Sequence, residues 1–376
     1  MQASQHFSQT YFEARAQFLS AAENAGMHVQ SQLHPLRGRD GEALAMDVAV
    51  LGSKDASSLL IISSACHGVE GFCGSGAQVA LLRDADFLAA QRACGVAVLF
   101  IHALNPYGFS WWRRTTHENV DLNRNFQDFT QPLPHNKGYD EIAGWVVPHT
   151  WPPSDAVNAQ TQNFIDKHGL LALQAAISGG QYVHPQGIFY GGVNPTWSNL
   201  TLRHVLREHG QRCARLGWID LHSGLGPNGV AERIFAGHDD AAAIARARSW
   251  WGQSGGQSGG QRGGQGSDHV TSIYDGSSSS PKLTGLMWTA ASQDCAQAEY
   301  TGIALEYGTV PPLEMMAALR ADQWLENHPE APAAQREQIK TQIREAFYTD
   351  TDAWKAAVVR QAHEAVLQGL KGLSAS

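Results

Sequence analysis

Short segments rich in apolar residues alternate with helical patterns in this 376-residue chain, and this alternation limits the folds that it can adopt. Segments Ser58–Ser64 and 96–102 are typical of strands that are covered on both faces of a sheet. Between them lie a Gly-rich stretch at 67–76, which predicts a turn, and a helical pattern at 78–90. The order strand, turn, helix, strand predicts an α/β fold with a mixed, largely parallel central sheet and helices on both faces.

The remaining patterns extend this outline along the chain. Helical or strand patterns are present in six further segments: helices at 4–26, at 201–213 and from about 313 onward, and strands at Ala43–Leu51, 216–222 and 302–306. An excursion near 127–195, which begins with several prolines and aromatics, predicts irregular structure, and a Gly/Gln tract at 252–266 predicts a flexible loop. Since neither segment marks a clean boundary, we expect one domain over 1–376.

The charge balance and the apolar runs exclude several classes of protein. Lys and Arg number 27 against 35 Asp and Glu, so the net charge is −8 and we expect no nucleic-acid partner. The longest apolar runs fall far short of the ~20 residues that a membrane-spanning helix needs. The first residues lack the basic start and apolar centre of a signal peptide. Because the five cysteines are scattered, they indicate reduced thiols, and we expect a cytoplasmic protein.

His67 and Glu70 form the first candidate site, since both follow a buried strand and lie three residues apart. Imidazole and carboxylate are ligands that zinc accepts, so the two side chains could bind one cation. Taken alone, however, the pair is better explained as a hydrogen-bonded histidine in the core beside a glutamate on the surface.

His222 lies at the end of a later strand, where period-two alternation places it on the same face as Asp220. Taken alone, it fits a histidine held by a local hydrogen bond. Together with His67 and Glu70, it completes a set of three protein ligands, the number typical of a catalytic zinc site with one open position.

Two other segments carry charged residues. Arg113, Arg114 and Arg124 lie close together in the chain, and arginine is suited to bidentate capture of a carboxylate, although a solvated loop is the simpler interpretation. Asp121 could accept a hydrogen bond from a histidine ligand and so fix its ring. Glu306 ends an apolar strand, where its desolvation is costly unless it is functional or belongs to a buried ion pair.

Together these segments resemble the zinc carboxypeptidase (metallocarboxypeptidase) superfamily over about 59–308. The resemblance rests on motifs that occur in the order of the family: His-x-x-Glu from 67, Asn-Pro-x-Gly-Phe from 105, Asp-x-Asn-Arg-Asn-Phe from 121, a strand-end His-Ser from 222 and a strand Glu at 306. More closely, the chain is similar to a bacterial branch of that superfamily known only as a domain of unknown function. The resemblance implies one zinc ion per chain, bound by His67, Glu70 and His222.

The resemblance also implies roles for the residues around the metal. Asp121 corresponds to the aspartate that orients the first histidine ligand, and Glu306 corresponds to the general base. Asn123 and Arg124 correspond to the pair that binds the terminal carboxylate of the substrate.

Two implied roles are less well defined. Arg113 corresponds to the arginine that polarises the scissile carbonyl, although Arg114 is close enough to be confused with it. The tyrosine that digestive members close over the substrate has no clear match, and Tyr274 is the candidate.

The implied activity is hydrolysis of a C-terminal peptide or peptide-like amide bond by metal-activated water, on a small substrate with a free carboxylate. An alternative is deacylation of N-acyl amino acids, as in the aspartoacylase and succinylglutamate desuccinylase branch, which shares the Asp-Leu-Asn-Arg string of 121–124. Val69, which stands where digestive members have arginine, favours the alternative, whereas the Asn-Pro-x-Gly-Phe segment favours a carboxypeptidase. A non-catalytic binding protein of the same fold is a third possibility. The oligomeric state is left open.

Overall fold

The computed structural model describes residues 2–252 and 269–375. The Gly/Gln loop predicted at 252–266 lies, apart from Gly252, outside the described residues. The described strands form one sheet of eight strands, in the order β1-β2-β4-β3-β5-β8-β6-β7. These strands are β1 (Val29–Arg37), β2 (Ala43–Leu51), β3 (Ser58–Ser64), β4 (Ala97–His102), β5 (Arg215–Gly224), β6 (Ala231–Phe235), β7 (Val270–Thr271) and β8 (Glu299–Gly308).

Helices occupy most of the connections between the strands. They are α1 (Tyr11–Asn24), α2 (Gly71–Leu82), α3 (Ala85–Cys94), α4 (Pro106–Ser110), α5 (Lys137–Val146), α6 (Asp155–His168), α7 (Leu170–Ser178), α8 (Trp197–Gly210), α9 (Ala241–Trp251), α10 (Thr289–Asp294), α11 (Pro312–Asn327), α12 (Ala333–Phe347) and α13 (Asp352–Ser374). Among the described residues, no helix is both long enough and apolar enough to cross a membrane.

The pairing of the strands confirms the predicted mixed, largely parallel sheet. β4, β3, β5 and β8 run parallel in the centre, and β1, β2 and β6 add antiparallel pairs toward the edges. Every residue of β3 and β4 is buried, as expected for parallel strands with both faces covered. The carboxyl ends of these parallel strands meet at one edge of the sheet, where α/β proteins commonly place their sites.

The Gly-rich stretch at 67–76 is mostly helix and not the predicted turn. A short 3₁₀ turn, Gly68–Glu70, leads directly into α2. The glycines serve close packing: a Cβ on Gly74 would lie 2.6 Å from the Cβ of Ser64, and one on Gly71 would lie 2.5 Å from the ring of Phe109. These glycines therefore let α2 pack directly against β3 and against Phe109, which explains why glycine is frequent at 67–76.

The excursion near 127–195 is also more regular than predicted. It contains α5, α6 and α7, and the side chains of Asn136 and Ser154 cap the first two of these helices. Five of the prolines lie before and between α5 and α6, and Pro185 and Pro195 follow α7, so none of them interrupts helical hydrogen bonds. The helical C-terminal segment predicted from about 313 is present as α11, α12 and α13.

Candidate metal centre

The turn after β3 is held in place by the loop after α4. The amide of Val69 donates to the carbonyl of Arg113 over 2.8 Å, and the amide of Gly68 donates to the carbonyl of Arg114 over 3.1 Å. A Cβ on Gly68 would lie 2.0 Å from the carbonyl carbon of Gly108, so this position has no room for a side chain. These contacts fix the backbone on both sides of the candidate ligands.

His67, Glu70 and His222 converge at the carboxyl ends of β3 and β5. Glu70 lies between the two histidines: its Oε1 is 2.7 Å from His67 Nδ1, and its Oε2 is 2.9 Å from His222 Nδ1. One ligand atom from each residue lies within 4.8 Å of the others, and all three side chains are buried. The sequence prediction that these residues share one site thus corresponds to a compact cluster.

A carboxylate contacts the outer nitrogen of each histidine. Asp121 Oδ1 lies 3.4 Å from His67 Nε2, which Arg114 Nη2 also approaches to 2.8 Å, and Asp220 Oδ2 accepts a hydrogen bond from His222 Nε2. Partners of this kind fix the ring and direct the other nitrogen inward, as in many metal sites. Asp220 was not predicted as a site residue, although its position two residues before His222 on one strand face was the available signal.

The donor set fits zinc. Two imidazole nitrogens and one carboxylate are a combination found in catalytic zinc sites. Burial alone would raise the pKa of Glu70, but the two neighbouring histidines outweigh it and lower that pKa below its ordinary value. Glu70 is therefore ionised, as a metal ligand must be.

Cys66, Asp220 and His222 form a second close group of donors in the described part of the chain. Burial raises the pKa of the Cys66 thiol well above its ordinary value, which disfavours the thiolate that a metal requires. Neither Cys66 nor Asp220 lines the cavity, so the His67–Glu70–His222 cluster is the better metal site.

Glu306 lies on β8 directly beside His222 in the sheet register. Its Oε1 accepts a hydrogen bond from the amide of Leu225 over 2.9 Å, which directs the carboxyl group toward the cavity. Desolvation, followed by the negative charge of Glu70, raises the pKa of Glu306 to about 7. A carboxyl group in this range can both accept and return a proton near neutral pH.

Arg124 is buried and is held by hydrogen bonds to backbone carbonyl groups. Its guanidinium donates to the carbonyls of Ser178, over 2.6 and 3.2 Å, and of Asn123, over 2.8 Å; none of these hydrogen bonds, among the described residues, reaches a carboxylate. A Cβ on Gly180 would lie 2.7 Å from Arg124 Cδ, so glycine leaves room for this side chain. Asn123 is oriented by the amide of Met287, which donates to its side-chain oxygen over 2.9 Å. Both predicted residues line the cavity.

The structure brings Arg114 to the cavity and directs Arg113 away from it. Arg114 lies 2.9 Å from Asp121 and 3.3 Å from Glu70. Arg113 instead pairs with two carboxylates of α11, Asp322 at 3.6 Å and Glu326 at 3.2 Å. The predicted contact of Arg113 with substrate is therefore not supported, because these ion pairs hold its side chain against α11 and it does not line the cavity.

Tyr274 does not line the cavity either. Its hydroxyl donates to the carbonyl of Gly237 over 2.7 Å, whereas the residue before it, Ile273, does line the cavity. The predicted contact of Tyr274 with substrate has no support in this arrangement.

The cavity has a volume of about 230 Å³, with polar residues grouped in one part of its lining and apolar residues in the rest. Its polar groups are those of the metal cluster, Glu306 and the Arg114, Asn123 and Arg124 side chains, together with a few neighbours. Its remaining walls are mainly apolar and come largely from α7, the loop after α7, α11 and the loop before α10. They include Leu170, Leu173, Phe189, Ile273, Leu283, Leu286, Leu313, Met316 and Leu319. Such a site fits a substrate with one charged end and an apolar body.

We expect Asp220→Asn to weaken zinc binding about 10- to 100-fold. Ser63 donates to Asp220 Oδ1 over 2.6 Å, and asparagine can keep this acceptor. Its amide nitrogen cannot accept from His222, so the variant removes that contact selectively. Competition with a chromogenic chelator measures the affinity, and Asp55→Asn, at an exposed position, is the matched control. Equal affinities in the two variants would contradict the role of Asp220.

Comparison with known proteins identifies a family. A family model described as a protein of unknown function, DUF2817, matches residues 7–361. No curated protein matches the chain. Among solved structures, the chain is similar to carboxypeptidase A from Helicoverpa armigera, at 12% identity over 90% of this chain and 74% of that one, with a TM-score of 0.45. It is also similar to a metallo-carboxypeptidase from Burkholderia cenocepacia, at 13% identity over 95% and 68% of the two chains, with a TM-score of 0.41. Because the family model matches nearly the whole chain, the chain belongs to the DUF2817 family.

Proposed function

We propose that this protein is a zinc-dependent hydrolase that cleaves a C-terminal peptide or peptide-like amide bond. The observation that carries this proposal is the pairing, in one cavity, of the His67–Glu70–His222 cluster with the buried Arg124. The hydrogen bonds of Arg124 reach only carbonyl groups within the described residues, and a buried guanidinium gains most from an anion as its direct partner. The terminal carboxylate of a substrate would supply that anion and place the neighbouring amide bond near the metal cluster.

Each polar residue of the cavity has a separate role in the proposed reaction. A zinc ion held by the cluster would act as a Lewis acid and lower the pKa of a water molecule to about 7. Glu306 would accept the proton of the attacking water and return it to the leaving amine. Arg114 would stabilise the negative charge that develops on the carbonyl oxygen. Arg124 and Asn123 would bind the terminal carboxylate and so fix the orientation of the scissile bond.

A deacylase of N-acyl amino acids is the second candidate function. Its substrate also carries a free carboxylate for Arg124. The apolar walls favour it as well, since Leu170 and Leu313 line the cavity while remaining partly exposed at 47% and 65%, and an acyl chain could extend along them.

Turnover by the zinc-loaded protein distinguishes these functions. The substrates are N-acetyl-leucyl-phenylalanine, its C-terminal amide, and N-octanoyl-phenylalanine. We expect release of free phenylalanine from the first, at least 100-fold slower cleavage of the amide, and little cleavage of the third. Faster cleavage of N-octanoyl-phenylalanine would instead establish the deacylase. Zinc binding without turnover of any amide in a wider panel would indicate a binding protein and overturn the proposal.

Arg114→Ala and Arg113→Ala are expected to have different effects. Loss of Arg114 should reduce kcat about 100-fold, the scale for one donor to a developing oxyanion. Loss of Arg113 leaves Asp322 and Glu326 with one cation fewer, although Lys340 still contacts both. This variant should mainly lower the thermal unfolding temperature, as expected when a buried ion pair loses one partner.

Steady-state kinetics and thermal unfolding of both variants check these expectations. A normal kcat in Arg114→Ala, together with a large loss in a folded Arg113→Ala, would reverse the assignment of the two residues.

A further inference from the structure

Phe189 lies against both arginines of the cavity. The centre of its ring is 4.9 Å from the Arg114 Cζ and 5.6 Å from the Arg124 Cζ. Both distances fall within the range in which a guanidinium is attracted to the face of an aromatic ring. Phe189 itself is buried and lines the cavity.

The backbone at Phe189 has an unfavourable conformation. Its φ angle is +54°, in the left-handed region that bulky residues rarely adopt. The segment is held on two sides, since the amide of Gln181 donates to the Phe189 carbonyl over 3.1 Å and the amide of Asp121 donates to the Tyr190 carbonyl over 2.7 Å. Conformations of this kind persist where the surrounding structure enforces them, and they concentrate at functional sites.

The two arginines differ in how their charges are balanced. Arg114 has Asp121 and Glu70 as direct partners. Arg124 has the carbonyls of Ser178 and Asn123. Burial, and less strongly the positive charge of Arg114, lower the pKa of Arg124 against the opposing negative charge of Asp121. The face of an aromatic ring carries partial negative charge. Phe189 therefore adds an attraction to the Arg124 guanidinium, whose hydrogen bonds within the described residues go to carbonyl groups.

We infer that Phe189 is a positioning residue that holds the Arg124 guanidinium ready for the carboxylate of the substrate. This inference rests on the proposed function, in which Arg124 binds that carboxylate. A carboxylate contributed by the protein would occupy more of the guanidinium donors, whereas a ring stabilises the charge and leaves for a ligand the N–H groups that do not bind the Ser178 and Asn123 carbonyls. The inference thus explains why a strained aromatic residue occupies this position.

Binding of two small probes to the zinc-loaded protein tests the inference. The probes are 3-phenylpropanoate and the neutral 3-phenylpropan-1-ol, neither of which has a bond for the enzyme to hydrolyse, and calorimetry measures their affinities. We expect Phe189→Leu to weaken binding of the carboxylate about 3- to 30-fold, the range of one cation–π contact. Binding of the alcohol should change less than twofold, and Phe189→Tyr should behave like the wild type. Leucine and tyrosine face the same backbone strain at φ +54°, so this comparison isolates the ring.

Two further measurements separate the inference from the proposed function. Arg124→Gln should abolish the preference of the protein for the carboxylate over the alcohol. If the wild type shows no such preference, or Arg124→Gln keeps it, then the proposed carboxylate site is wrong and the inference falls with it. If Arg124→Gln behaves as expected while Phe189→Leu binds the carboxylate normally, or weakens both probes equally, then the inference alone is overturned. Phe189→Met replaces Phe189→Leu if thermal unfolding shows that the leucine variant does not fold.

Discussion

Glu306→Gln is expected to lower kcat by about 10²- to 10⁴-fold, the typical contribution of a general acid–base group. Zinc binding should be unchanged. Glutamine keeps the shape of the side chain and can still accept the hydrogen bond from the amide of Leu225. It cannot take up a proton from water. Because Glu306 lies on the strand beside His222 and is not one of the three clustered donors, its replacement should remove a proton acceptor and no ligand.

Three measurements on the Glu306 variant separate chemistry from structure: kcat, zinc content and thermal unfolding temperature. Glu299→Gln, at an exposed position on the same strand, is the matched control and should retain full activity. A Glu306→Gln enzyme with a kcat near that of the wild type would contradict the assignment of the general base. Loss of zinc from this variant would instead identify Glu306 as a ligand.

Arg124→Gln is expected to reduce kcat/KM for a substrate with a free terminal carboxylate by about 10²- to 10⁴-fold. This corresponds to the ~3–5 kcal/mol by which removal of one partner commonly weakens a buried charge pair. Turnover of the C-terminal amide of the same substrate should change little, since the amide gains nothing from a cation. The ratio of the two kcat/KM values therefore reports carboxylate recognition and is insensitive to a general loss of folded protein.

Arg203→Gln is the control for the Arg124 variant. Arg203 of α8 is partly buried, pairs with Asp294 of α10 at 2.8 Å and does not line the cavity, so its loss should leave both kcat/KM values unchanged. An Arg124→Gln variant that loses activity equally on the substrate with a free carboxylate and on its C-terminal amide would show that Arg124 supports the fold and does not select the substrate.

The central part of the fold could be predicted from the sequence because its segments have unambiguous composition. The strands Ala43–Leu51 and Ser58–Ser64 occur with the predicted bounds, since most residues of both are apolar and buried. The outer strands β1, β6 and β7 were missed. β1 is largely exposed and β7 has two residues, so neither has the run or alternation of apolar residues that predicts a strand.

The clustered site residues could be predicted because each follows or ends a central parallel strand. Parallel strands bring their carboxyl ends together, so residues as distant as His67, His222 and Glu306 become neighbours. The choice between Arg113 and Arg114 had no such basis. It depends on Asp322 and Glu326, which lie about two hundred residues later in the chain and draw Arg113 to α11. The proposed role of Phe189 could likewise not be predicted from the sequence, because it depends on its φ angle and on its contacts with two distant side chains.

Zinc content of the purified protein, measured by elemental analysis beside a His67→Ala variant, tests the central claim most directly. His204→Ala is the control, since this histidine is 60% exposed on α8. We expect about one zinc per chain in the wild type and in the control, and almost none in a folded His67→Ala variant. A wild-type protein that binds no metal after zinc is supplied, or a His67→Ala variant that keeps its full complement, would contradict the assignment of the metal centre and of the chemistry proposed to depend on it.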